Sequence, residues 1–312
     1  MTIVAITSRS FSNHPELRKA IQAKYPDVKF NESAMKFNEN QIVKFLKGAE
    51  KAIIGLDAIN ESIVSQLPDL KVIVKFGVGL DKIDIPVLRK YNIALANTPG
   101  ENKRSVAELV LGLVITIFRQ LHLSYDSLIK SDFRQHKGNE LFGKSIGIIG
   151  FGSVGKEVAK IFTALGCRCF AYDVIVHKTK DYTVEFCNSL EELLTFTDIV
   201  TLHLPLNKFT YHILNRDRLS LLKRNAILIN TARGGLVDEE GLTILLEERK
   251  VAAAAFDVFE QEPPISSKLL KLSNFFGTCH IGGSTEEAIL AMGNAAIAAL
   301  ETAKIPSEEV VV

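Results

Sequence analysis

The sequence predicts an α/β fold made of doubly wound parallel sheets in two domains. Short apolar, β-branched runs alternate with amphipathic segments almost from end to end, and the runs are continuously apolar rather than alternating. A strand that is apolar on both faces must be covered on both, as in a parallel sheet between two helix layers. The length, 312 residues, also exceeds what one core of ordinary size fills.

The expected strands are Ile3–Thr7, Lys51–Leu56, Val72–Phe76, Ile93–Asn97, Ile146–Gly150, Cys167–Asp173, Ile199–Leu204, Ala226–Asn230 and Ala252–Val258. Helices are expected at Pro15–Tyr25, Glu157–Leu165, Leu190–Phe196 and Glu239–Glu247. Ser105 to about Lys130 reads as one long helix, apolar nearly all round in its first half, with Ser105 and Glu108 in a capping-box pattern. It separates two strand–helix series. A second capping-type start, Ser284-Thr285-Glu286-Glu287, opens a final helix. If that helix returns to the first series, the chain crosses twice: one domain covers residues 1–97 and 284–312, the other 98–283, and the crossings form a hinge over a cleft.

Composition excludes several classes. The chain is 47% hydrophobic and 23% charged, with 37 basic against 36 acidic residues, a net charge of +1. No excess of positive charge points to nucleic acid or an anionic membrane. The longest apolar run, Leu109 to Phe118, is too short to span a bilayer, and the first residues lack a secretory signal, so a cytoplasmic protein is expected. Cys167, Cys169, Cys187 and Cys279 lack the paired spacing of a zinc site and read as free thiols. Asp81 and Asp84 are expected to cap the following helix, and no catalytic metal is expected.

One local pattern carries a ligand. The strand Ile146–Gly150 runs into Gly150-x-Gly152-x-x-Gly155 and then a helix. Gly150 permits the tight turn, Gly152 lets backbone approach a pyrophosphate, and Gly155 lets helix and strand pack closely. The helix N-terminus turns free N–H groups and a positive dipole end to the phosphates. A second strand ends at Asp173, 18 residues beyond Gly155. Its carboxylate can accept from ribose hydroxyls and repels a 2′-phosphate. No arginine follows it directly, Lys178 being the nearest lysine or arginine beyond, so NAD is favoured over NADP.

Ligands of an open parallel sheet bind beyond the carboxyl ends of its strands. There the second series places Arg233 in Thr231-Ala232-Arg233-Gly234-Gly235, Glu260 and Glu262 in Phe259-Glu260-Gln261-Glu262-Pro263, and His280 in Cys279-His280-Ile281-Gly282-Gly283. A guanidinium can hold a carboxylate and polarise a keto oxygen, and an imidazole can supply the proton that oxygen needs. A carboxylate beside the histidine fixes the ring. The set suits hydride transfer to a 2-keto acid. His203 is expected to pack near the cofactor, and His14, His122, His136, His177 and His212 to be surface or structural.

TARGGLVDEEGL, FDVFEQEPP and HIGGSTEEA, with GFGSVGKEVA, FGVGLDKIDI, NTPGENKRSVAEL and TLHLPL, closely resemble the D-isomer-specific 2-hydroxyacid dehydrogenase family, in order and spacing from about Lys71 to Gly293. The resemblance implies a Rossmann cofactor domain inserted into a flavodoxin-like substrate domain, and a homodimer built on the long helix from Ser105. It implies that Arg233 binds substrate, that Glu262 is the family's glutamate and that His280 is its acid/base. Backbone amides of Phe76, Gly77, Val78 and Gly79 would hold the substrate carboxylate, Val78 also lying near the nicotinamide. Ser153, Val154 and Asp173 would contact adenosine and pyrophosphate. Leu204, Thr231 and Ala232 would line the nicotinamide, and Asp257 would lie near its carboxamide.

The motifs are closest to the phosphoglycerate dehydrogenase branch, which makes 3-phosphoglycerate a candidate substrate. The departures are that the Gly55–Asn60 loop holds no cation, leaving Lys75 as the basic residue nearby, and that Cys279 replaces the usual proline before the histidine. The chain ends near its last helix, so no C-terminal regulatory domain is expected, and it contains no tryptophan, though the family often has one near the position of Phe133. Two other readings share the scaffold: a dinucleotide-sensing, corepressor-like binding protein, and a dehydrogenase of an anion such as formate or phosphite.

Overall fold

The continuously apolar runs become the inner strands of two sheets in which every strand pair is parallel. A computed structural model of the chain describes residues 2–33, 37–175 and 183–307. The chain divides into two compact units, residues 1–102 with 283–312, and residues 103–282. The first unit carries β1 (Ile3–Ile6), α1 (Arg9–Asn13), α2 (Pro15–Gln22), β2 (Asp27–Phe30), α3 (Glu39–Leu46), β3 (Lys51–Ile54), α4 (Glu61–Val64), β4 (Val72–Lys75), α5 (Ile85–Lys90) and β5 (Ala94–Asn97). The second carries α6 (Lys103–Phe118), α7 (Leu121–Ile129), β6 (Ser145–Ile149), α8 (Ser153–Ala164), β7 (Arg168–Tyr172), β8 (Val184–Phe186), α9 (Leu190–Phe196), β9 (Ile199–Leu202), α10 (Arg216–Ser220), β10 (Ile227–Asn230), α11 (Glu239–Glu247), β11 (Ala253–Phe256) and β12 (Phe275–Gly277). The chain then returns to the first unit as α12 (Glu286–Ala299).

The five-stranded sheet has the order β2-β1-β3-β4-β5, the doubly wound arrangement of flavodoxin-like folds. The seven-stranded sheet runs β12-β11-β10-β9-β6-β7-β8, a dinucleotide-binding order whose winding reverses between β6 and β9. Successive side chains of each inner strand enter opposite cores. In β6, Ile146 and Ile148 pack with Val110, Val114 and Phe162 of the helices on one face, while Ile149 packs with Leu193, Leu228 and Leu242 on the other. In β1, Val4 and Ile6 join Leu17, Ile21 and Ile297, and Ala5 joins Ile42, Leu46 and Ile73.

The structure differs from the sequence expectation in several places. The strands absent from the expected set, β2 and β8, are both sheet edges. The long helix breaks after Phe118: Gln120 adopts a left-handed backbone (φ +52°), and α6 and α7 are bent by 60°. The cause is tertiary. Asn139 N–H takes the Phe118 carbonyl (2.8 Å), Gln120 Nε2 donates to the Lys137 carbonyl (3.1 Å), and a side chain at Gly138 would strike Phe118 O. Ser105 is inside α6 rather than at its cap, and its hydroxyl donates instead to Gly282 O at 2.6 Å. Of the two aspartates, Asp84 caps α5 by accepting from Val87 N (3.2 Å), and Asp81 does not. At α12 the cap is Thr285. Among the described residues no single helix is long and apolar enough to cross a membrane.

The central strands are tied at their amino ends. Asp198 Oδ2 accepts from Ser145 N (2.9 Å) and Ser145 Oγ (2.8 Å), while Oδ1 pairs with Lys223. Burial alone pushes this carboxyl up, but Lys223 and the two Ser145 donors outweigh it and hold it below the usual carboxylate range. Its contribution to stability is therefore present at neutral pH and lost as pH falls through the depressed folded value. Asp198→Asn is expected to cost about 1.5–3 kcal/mol at pH 7, read from urea midpoints. A penalty that does not shrink on acidification would assign the effect to shape rather than charge.

Candidate active site

At the winding reversal of the larger sheet, β6 ends in a glycine-rich turn. Gly150 has φ +92°, and a Cβ there would lie 2.6 Å from His203 O and 2.9 Å from Leu204 Cδ2, so Leu204 lies against the turn. A Cβ on Gly155 would strike Gly150 O at 2.2 Å, whereas one on Gly152 would meet nothing within 4 Å. The first and third glycines are thus required by packing, and the second leaves open space. α8 begins at Ser153 with Gly152 as N-cap, no side-chain cap and no acidic residue in its first turn. α9, α10 and α11 of the same unit are all side-chain-capped. The amides at Ser153, Val154 and Gly155 therefore form an unclaimed anion-binding end.

Asp173 follows β7 and is held by backbone: Oδ2 accepts from Phe151 N (2.6 Å) and Oδ1 from Ile175 N (3.0 Å). Each oxygen keeps capacity for a ribose hydroxyl. Lys178 and His177 lie outside the described residues. On β10's exit, Thr231 Oγ1 is buried with no hydrogen-bond partner among the described residues. The open glycine, the uncapped helix and the orphaned hydroxyl fit a dinucleotide.

Arg233 leaves β10 through a turn built by Asn230, which is fully buried. Asn230 Oδ1 accepts from Ala232 N (3.1 Å) and its Nδ2 donates to Arg233 O (2.8 Å), while Arg233 Nη1 donates to Ala232 O (2.6 Å). The next residue packs so tightly on Phe259 and Glu260 backbone that a Cβ at Gly234 would lie 1.9 Å from Phe259 C. The turn bearing Arg233 is thereby seated on the segment bearing Glu262.

Glu262 and His280 meet. His280 Nδ1 is 3.0 Å from both carboxylate oxygens, and Phe259 N lies 3.4 Å from Oε1. This pairing calls for a proton on Nδ1 and leaves Nε2 as the working nitrogen. His280 has a left-handed backbone (φ +54°). Asp257, at the end of β11 and 1% exposed, holds it there: its carbonyl accepts from His280 N (2.9 Å), Oδ1 from Thr278 Oγ1 (2.6 Å) and Ile281 N (2.8 Å), and Oδ2 from Gly282 N (2.8 Å).

In the first unit, the residues after β4 form their own loop. Phe76 N donates to Ile54 O (2.9 Å) and Gly77 N to Thr98 Oγ1 (3.2 Å), and Asn97 Nδ2 donates to Val78 O (2.9 Å). Among the described residues, the Val78 and Gly79 amides have no acceptor. Lys75 is buried and donates to Phe76 O at 3.0 Å.

The other described histidines sit in local environments of their own. His203 reaches Thr201 Oγ1 (3.0 Å), and burial pushes its imidazole down to about 3, so it stays neutral. His14 caps α2, His122 lies against Phe276 and His136 meets Ser127 Oγ. His212 lies 2.7 Å from Glu260 Oε1. Among the described residues no cluster of metal-ligating side chains is present. Sequence reading passed over Asn230, although Asn closing an apolar strand is a turn signal. It also passed over the bond from Ser105 to Gly282, which no spacing announces.

A glycine turn of the dinucleotide-binding type and an imidazole–carboxylate pair thus share one sheet edge. The profile of the D-isomer specific 2-hydroxyacid dehydrogenase, NAD binding domain, matches residues 111–282. The chain is 38% identical to a D-3-phosphoglycerate dehydrogenase of Methanocaldococcus jannaschii over 267 residues, 84% of this chain and 51% of that protein. It is 37% identical to a hydroxypyruvate reductase of Thermotoga maritima over 282 residues, 88% of this chain and 92% of that one. The structure of a D-lactate dehydrogenase from Aquifex aeolicus complexed with NAD and lactic acid matches with a TM-score of 0.82 at 28% identity, covering 96% and 95% of the two chains. The chain belongs to the D-isomer-specific 2-hydroxyacid dehydrogenase family and carries its NAD-binding domain. It spans about half the length of the phosphoglycerate dehydrogenase and most of the hydroxypyruvate reductase.

Replacing Asp173 with Ala is expected to raise KM for NADH and narrow the preference over NADPH, more so with an arginine at Val174. Initial rates with both cofactors check this, and an unchanged ratio would remove Asp173 from ribose recognition.

Proposed function

We propose that the protein transfers a hydride between nicotinamide and C2 of a small D-2-hydroxy or 2-keto acid. The observation that carries the proposal is the Glu262–His280 pair at 3.0 Å beside the Arg233 turn. Bound NADH supplies the hydride. The Arg233 fork holds the substrate carboxylate and draws electron density toward the keto oxygen. As C2 is reduced, the imidazolium of His280 gives its Nε2 proton to the developing alkoxide, and Glu262 stabilises that imidazolium and keeps the ring aligned. Oxidation runs the same proton path backwards.

In this reading, residues 1–97 and 284–312 bind substrate and 98–283 bind the cofactor, through Gly150, Gly152, Ser153, Val154, Gly155 and Asp173. Leu204, Thr231, Ala232 and Val78 line the nicotinamide, and Asp257 lies near its carboxamide. The substrate is a short unphosphorylated acid of the hydroxypyruvate or glyoxylate kind, because the Gly55–Asn60 loop holds no cation and its Asp57 is buried. The second reading, 3-phosphoglycerate, is favoured by the Methanocaldococcus jannaschii relative and by Lys75. The active form is a cytoplasmic homodimer through α6 and α7, on which Leu121, Tyr125, Leu128 and Ile129 are exposed, with Phe133 beyond them.

NADH oxidation with glyoxylate, hydroxypyruvate and 3-phosphohydroxypyruvate tests the function, and the highest kcat/KM is expected with one of the first two. No turnover with any 2-keto acid would leave the dinucleotide-sensing reading. His280→Ala is expected to lower kcat about 10²- to 10⁴-fold while NADH binding, followed by fluorescence, persists. Leu128→Asp with Phe133→Asp is expected to convert a dimer to a monomer in light scattering, and an unchanged mass would place the interface elsewhere.

A further inference from the structure

A second imidazole–carboxylate pair lies behind the first. His212, in the segment between β9 and α10, has a left-handed backbone (φ +48°), a conformation that costs a non-glycine residue free energy and persists only when its surroundings impose it. Two contacts impose it here. Its backbone N–H donates to Gly235 O (2.8 Å), two residues past Arg233, and its Nε2 lies 2.7 Å from Glu260 Oε1, two residues before Glu262. Glu260 is fastened on its other side, since its backbone N–H donates to Glu239 Oε1 at 2.7 Å. Glu239 stands at the start of α11, three residues beyond Leu236, so it closes the ring.

The ring runs from the Arg233 turn through His212 to the Glu262 loop, and back through Glu239. Neighbouring bonds brace it: Leu214 N donates to Leu236 O (3.1 Å) and Asp238 N to Leu214 O (3.0 Å). Tyr211 stacks on the His212 ring, with centroids 4.0 Å apart and planes 14° from parallel. Burial raises the Glu239 carboxyl above its usual range despite the Glu260 N–H, so this group is kept in a place that disfavours its charge. Packing alone would be served as well by an apolar residue there.

We propose that His212, Glu260 and Glu239 are positioning residues for the dehydrogenase reaction, setting the Arg233 turn against the Glu262 loop and so the guanidinium against the Glu262–His280 pair. The proposal rests on the roles given above to Arg233, Glu262 and His280. None of the three need touch substrate. A displacement of Glu260 by one ångström is carried over two residues to a carboxylate that must stay within hydrogen-bonding distance of His280, and errors of that size cost large factors in rate.

The test compares His212→Ala and Glu239→Ala with His212→Gln and Glu239→Gln, which keep a donor and an acceptor at similar reach, in the full chain with NADH and its best keto acid. The alanine variants are expected to lose about 10- to 100-fold in kcat, with KM for NADH unchanged and a larger primary isotope effect with deuterated NADH. The glutamine variants are expected to recover most of the rate. Thermal unfolding identifies any variant that fails to fold, and Glu260→Ala with Glu260→Gln then takes its place. Wild-type rates in the alanine variants, equal losses in alanine and glutamine variants, or losses that track KM for NADH would each overturn the proposal. A wild-type protein without turnover would instead overturn the dehydrogenase reading on which it rests.

Discussion

Strands that all run one way have all their carboxyl ends at one edge, and the larger unit is organised by that constraint. From that edge leave the glycine turn after β6, Asp173 after β7, Leu204 after β9, Arg233 after β10, Asp257 and Glu262 after β11, and His280 after β12. Residues scattered over 130 positions need no long-range plan to meet, because the sheet register brings their strands side by side. The opposite edge carries a different kind of residue. Ser145, Asp198 and Lys223 are joined there through the Asp198 carboxylate.

The inner strands were legible because burial on both faces leaves only one pattern. The edge strands β2 and β8 were not: Asp27–Phe30 and Val184–Phe186 have a neighbour on one side only, and each carries charged residues that blur the apolar run. The helix break was hidden for another reason. Periodicity through Arg119 and Gln120 continues unbroken, and the bend is imposed by residues 137–139, which sequence spacing cannot connect to Phe118. In the site, motifs announced Arg233, Glu262 and His280, while the framework that holds them was silent. Asn230, Ser105 and His212 act through backbone partners 3, 177 and 23 residues away, with no periodicity between them.

The His280 loop shows how such a framework outweighs its own cost. A left-handed non-glycine residue is worth roughly 1–3 kcal/mol of strain. A buried carboxylate is costly as well, unless donors surround it. Asp257 receives three side-chain bonds, from Thr278, Ile281 and Gly282, and bonds to a charged acceptor contribute about 1.5–3 kcal/mol each. The sum exceeds the strain, so the imidazole is offered in a fixed orientation before any ligand arrives. Preorganisation of this kind removes a reorganisation cost from the chemical step.

The bare amino end of α8 has a thermodynamic consequence for the protein as a whole. With Gly152 as its N-cap, the helix forgoes only about a few tenths of a kcal/mol relative to a side-chain cap, and in the function proposed above a dinucleotide phosphate takes that place. Any ligand that binds only the folded form adds RT ln(1 + [L]/Kd), about 2.7 kcal/mol at a hundredfold excess over Kd. Persistence against proteolysis and heat then follows the dinucleotide concentration around the molecule, and starvation for the cofactor selects the unliganded population for turnover first.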